Sequence, residues 1–163
     1  LRVGMDEGVN TNDFSLGVKM KLAGERGARP AIAVIAAVNE MGEDSGVRPS
    51  FRFSFANTLS DRLSLGYNAG VAWDEPDGSD HLTSRVEWTA ALGIAATKRT
   101  GFFVEVFGDN GLSDRGESQT SIDGGVTFLV RPNVQLDLFA GAGISSAAPD
   151  WFAGAGISFR LPR

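Results

Sequence analysis

The sequence predicts an all-β protein, an antiparallel up-and-down transmembrane β-barrel of about ten strands. Three observations carry that expectation. Hydropathy alternates with period two along most of the 163 residues, as strands with two unlike faces require. The connections alternate between short turns and longer polar loops, the two-rim pattern of an outer-membrane barrel. Charged residues stand in mid-strand on the face opposite the apolar one, and most of the strand glycines share that face.

Taken in order, the strands are 1–7, 14–23, 30–40, 51–59, 63–74, 84–97, 102–109, 119–130, 134–145 and 151–161. In 14–23, Phe14, Leu16, Val18, Met20 and Leu22 alternate with Ser15, Gly17, Lys19 and Lys21. Phe51, Phe53 and Phe55 alternate with Arg52, Ser54 and Ala56. In 84–97, Val86, Trp88, Ala90, Leu92 and Ile94 alternate with Arg85, Glu87, Thr89, Ala91 and Gly93. Strand 30–40 has the weakest pattern, because both of its faces are apolar or small. Many of these segments reach the ~9–11 residues that a tilted strand needs to cross hydrocarbon.

Short connections are 60–62, 98–101 and 131–133, and longer ones are 42–50, 75–83, 110–118 and 146–150. The connection 24–29 is somewhat long for the short rim. Aromatic residues near strand ends (Phe14, Phe51, Trp73, Phe102, Trp151 and Phe159) suit interfacial girdles. The longest apolar run, Ala31 to Val38, is far too short for a membrane helix. No basic region followed by an apolar one opens the chain. Leu1-Arg2-Val3 reads as mid-strand, so a preceding segment is expected. The chain is read as a single domain, 1–163.

Composition excludes several chemistries. Net charge is -5 and the isoelectric point about 4.8, which argues against a nucleic-acid partner. There is no Cys and one His, His81, so Cys/His metal sites, thiol catalysis and disulfides are not expected. Gly141-Ala142-Gly143 and Gly154-Ala155-Gly156 lack the helix that a phosphate-binding loop needs. The acidic stretch Asp74, Glu75, Asp77 and Asp80 matches no EF-hand and reads as a solvated loop, as do Arg48 and Arg115. His81 has no activated nucleophile beside it. No cofactor, metal or catalytic site is expected, and the protein is read as not an enzyme. A rim enzyme around His81 is the weakest rival.

If the apolar face meets lipid, the other face encloses the lumen. By this parity the candidate lumen-lining residues are Lys19, Lys21, Arg52, Arg85, Glu87, Glu105, Asp123 and Asp137. Arg2 and Arg160 would join the cations, and Asp6, Asp74 and Asp109 the anions. The signs segregate, with cations early in the chain and anions late. Two interiors are compatible with this. One is filled by ion pairs; the other is an aqueous pore with a transverse field. Inward Phe103, Phe107 and Phe139 are expected to narrow it.

Residues 48–78 (RPSFRFSFANTLSDRLSLGYNAGVAWDEPDG), 101–111 (GFFVEVFGDNG) and 121–161, above all the run from Ile122 to Phe159 with Asp123-Gly124-Gly125, Pro132-Asn133, Leu136-Asp137 and Ala148-Pro149-Asp150, resemble the outer-membrane transporter family linked to the MetA pathway of phenol degradation. The resemblance implies a single-domain barrel in the outer membrane of a Gram-negative bacterium and passive uptake or permeation of small, including aromatic, molecules. Family members extend further at the N-terminus, which implies twelve strands in the full-length protein. The resemblance transfers no catalytic motif. The expected partners are the lipid bilayer and a small-molecule solute. The rival function is a structural or docking protein with a filled lumen, whose loops or edge strands bind another protein of the outer membrane.

Overall fold

The computed structural model describes residues 15–39, 48–74, 83–112 and 118–160. They form nine strands: β1 (Ser15–Ala23), β2 (Ala31–Asn39), β3 (Arg48–Thr58), β4 (Leu63–Asp74), β5 (Thr83–Ala95), β6 (Thr100–Gly111), β7 (Gln119–Arg131), β8 (Val134–Gly143) and β9 (Phe152–Phe159). No helix occurs among the described residues. All nine lie in one sheet in chain order, and every neighbouring pair is antiparallel.

β4 spans the residues that alternation alone marks. β3 begins earlier than expected, at Arg48, which is half-buried at the head of a strand rather than free in a loop. β2 forms despite two small or apolar faces, because pairing on both sides fixes its register, with Ile35 opposite Lys19 on one neighbour and Arg52 on the other. The strand expected at 1–7 lies outside the described residues, as do Phe14 and His81.

The turns of the short rim are locally determined. In the β1–β2 connection, Arg26 and Arg29 exchange backbone hydrogen bonds (3.0 and 3.1 Å) around Gly27, whose φ is 58°. This is a two-residue hairpin turn, where a positive φ favours glycine; the connection that looks long in the sequence is therefore tight. The backbone N–H and hydroxyl of Thr58 both donate to the Glu25 carboxylate (2.6 and 2.8 Å), tying that turn to the end of β3. Ser60 Oγ accepts from the N–H groups of Arg62 and Leu63, and Thr97 Oγ1 accepts from those of Arg99 and Thr100.

The sheet has no second layer. Among the described residues only Ala33, Ala72, Ser50 and Ser121 are buried, and none is a large apolar side chain. Large apolar side chains are instead exposed along one face, including Val18 (71%), Leu138 (59%) and Ile157 (51%). In a soluble sandwich that face would be covered by a second sheet. Here it is continuous and bare, as lipid requires and water does not tolerate. Phe51, Phe53, Phe55 and Tyr67 form a contiguous row of rings on it, with neighbouring centroids 5.3, 6.4 and 5.0 Å apart. The outward aromatics thus run inward from the rim along β3, beyond the girdle positions expected.

β1 and β9 make no contact with each other. Both run from the long-loop rim to the short-turn rim, so antiparallel closure takes an odd number of further strands between them.

Candidate functional site: the lumen face

The fifth residue counted from the long-loop end of each strand gives Lys19, Ile35, Arg52, Gly70, Glu87, Phe107, Asp123, Phe139 and Gly156. Equal counts place them at similar depth. The register carries them all on the face opposite the exposed apolar residues. One belt of the lumen therefore passes from cations on β1 and β3 to anions on β5 and β7, with rings on β6 and β8.

All eight lumen residues expected from parity lie on this face, but they are not brought together as one group. Three of them cluster. Arg52 Nη2 donates to Glu87 Oε2 at 2.8 Å, and Arg85 Nε donates to Glu87 Oε1 at 3.3 Å. Arg52, Gly70 and Glu87 are successive partners across β3, β4 and β5. The guanidinium therefore reaches over Gly70, where a methyl group would stand 2.8 Å from the Arg52 Cα. Beside them Asn68 Nδ2 donates to Thr89 Oγ1 at 2.7 Å. A cavity of about 230 Å³ is lined on this face by Arg52, Asn68, Glu87, Thr89, Phe107 and Asp109.

The remaining charges stay apart. Lys19 and Lys21 form no ion pair among the described residues. Glu105 and Asp123 are direct cross-strand partners, so two carboxylates face one another with no cation between them. One Asp123 oxygen, Oδ1, is inaccessible to solvent and has no hydrogen-bond partner among the described residues. Asp137 lies against Gly156. The pair Arg52–Glu87 thus joins a basic strand to an acidic one, whereas Glu105, Asp123 and Asp137 have no ion-pair partner among the described residues. Arg160 is exposed beyond the end of β9.

The rings depart from expectation. One row of partners reads Gly93, Phe103, Gly125, Phe139 and Gly154 across β5 to β9. A methyl group at Gly125 would sit 2.6 Å from Cε1 of Phe103, and one at Gly154 would overlap the Phe139 ring. Each ring therefore lies flat over the glycine of the next strand. Phe152, which alternation did not single out, brings its Cζ over Gly141 and meets Phe107 edge-on at 5.9 Å. Its signal was its shared parity with Gly154 and Gly156. Phe103 and Phe139 thus lie against the wall of β6–β9 rather than projecting across the lumen, whereas Phe107 and Phe152 stand at 68° to one another and do not both lie flat.

The sequence matches the family described as "Putative MetA-pathway of phenol degradation" over residues 3–161. The chain belongs to this family. In fold it is similar to a NanC porin solved in a rhombohedral crystal form, with a TM-score of 0.69 and 11% sequence identity, over 91% of this chain and 79% of that one. Among curated proteins, none matches the sequence. The family match and the porin-like sheet agree with the single-layer, bare-faced architecture, a transmembrane β-barrel wall.

Proposed function

We propose that this chain forms the wall of an outer-membrane channel through which small solutes, aromatic ones included, cross passively in a Gram-negative bacterium, with no catalytic step. Membership of the family and likeness to a porin fold support the outer-membrane setting. The observation that carries the reading is the seating of the long inward side chains. Arg52 lies over Gly70, Phe103 over Gly125, Phe139 over Gly154 and Asp137 over Gly156, which keeps these four side chains against the wall. An interior built to be filled would interdigitate large side chains instead. The sign change around the belt supplies a transverse field, which sorts permeants by charge and dipole.

Glu105 is the sharpest probe, because it stands in mid-wall with no ion-pair partner among the described residues. In planar bilayers the full-length protein is expected to conduct, and Glu105→Gln to shift the reversal potential under a salt gradient toward weaker cation preference. Complete absence of conductance from correctly folded protein would refute the channel.

A further inference from the structure

Resting on the channel reading, and naming its solute class, we propose that the paved wall of β6–β9 is a binding surface for a ring-bearing organic cation. Two independent features of the wall require both halves of that description.

The first is the aromatic paving. A ring laid flat against a wall presents its π-face, and the face is the negative part of its quadrupole. Phe103 and Phe139 are held in this attitude by the glycines beneath them, and Phe152, with its Cζ over Gly141, forms a T-shaped pair with Phe107 beside them. A planar solute can stack on such a surface, and a cation can sit against it.

The second is the uncompensated negative charge. The four strands β6–β9 contain a single cation, Arg131, at the last position of β7. Glu105, Asp123 and Asp137 point inward with no Lys or Arg in ion-pair distance among the described residues. Asp123 Oδ1 is sealed from solvent and has no donor among the described residues, so Oδ2 is the oxygen through which this carboxylate can meet a cation in the lumen. Asp123 pairs with Gly141, and a methyl group at Gly141 would meet both the Phe152 ring and the Asp123 Cβ. Carboxylate and ring therefore flank the same glycine, a spacing suited to an ammonium group joined to a six-membered ring by a short arm.

The opposite arc excludes the alternatives. The inward positions of β1–β4 hold Lys19, Lys21, Arg48 and Arg52, with Asp74 at the end of β4, among small or aliphatic residues such as Ala33, Ile35 and Ala37, and no aromatic ring. An anionic ring is drawn to the arc that cannot stack it, whereas a cationic ring is driven onto the arc that can.

The test is current block in planar bilayers holding the full-length protein. The probes are benzylammonium, cyclohexylmethylammonium (the same charge without a π-face) and benzoate (the ring with opposite charge). Benzylammonium is expected to block at a concentration about fivefold lower than cyclohexylmethylammonium, and benzoate to block least. Phe152→Leu, or Phe139→Leu should the first variant fold poorly, is expected to erase the difference between the two amines. Asp123→Asn is expected to weaken both amines while preserving their ratio. A conducting channel blocked equally by the two amines, or as strongly by benzoate as by benzylammonium, overturns this assignment and leaves the channel standing. A silent bilayer overturns both.

Discussion

Leu138→Lys is expected to destabilise the folded barrel by about 2–4 kcal/mol, the cost of a cation facing lipid near the midplane. Leu138 is 59% exposed in the middle of β8, on the face that carries no charge along that strand. Its neighbour Asp137 points the other way, against Gly156. The same new side chain there, in Asp137→Lys, meets a polar lumen and is expected to cost less than about 1 kcal/mol, while changing ion selectivity. Reversible denaturant unfolding from lipid vesicles measures both. The contrast between adjacent positions separates a lipid–lumen boundary from a general sensitivity of the strand. Equal losses would mean that the two faces of β8 do not meet different solvents.

Gly154→Val is expected to have the largest effect on permeation. The three atoms nearest a methyl group at Gly154 all belong to the Phe139 ring, and none is backbone. The ring must therefore leave the wall and swing into the lumen. In a barrel of this size one projecting ring takes a large share of the bore, so unit conductance should fall by roughly half. The stability cost of crowding this position is about 1–3 kcal/mol. Adding Phe139→Ala removes the displaced ring and should restore conductance. Gly154→Val that conducts like the parent protein would show that the ring does not lie where the geometry places it.

The contrast between the two substitutions marks how far the sequence could be read. Which face a residue occupies depends on alternation within one strand, a short-range property. It was legible wherever the faces differed, as in β4, β5 and β8. It was weak in β2, where Ala31–Asn39 offers small or apolar groups on both sides and only pairing decides. What a residue lies against depends on cross-strand register. That is set by turn geometry and by irregularities such as the shifts between Lys21 and Ala23 and between Leu129 and Arg131. Hydropathy does not encode those. Parity therefore put Phe103 and Phe139 in the lumen but could not reveal the glycines beneath them, so they read as obstructions. Likewise it showed cations and anions on one face, but not that Glu87 takes both Arg52 and Arg85 while Glu105 and Asp123 take neither. The turn around Gly27 looked long because two arginines that pair with each other resemble loop residues in a linear pattern.

If one face of each strand meets lipid and the other meets water inside a channel, reactivity along a strand must alternate with period two. The chain contains no cysteine, so single cysteines can be placed at 135 through 140 in β8 without background. Labelling by a charged, membrane-impermeant thiol reagent of the protein in lipid bilayers tests the claim most directly. Cysteines at Gln135, Asp137 and Phe139 should react, and those at Leu136, Leu138 and Ala140 should be protected. Uniform reactivity along the segment, or reactivity in the opposite phase, would contradict the account.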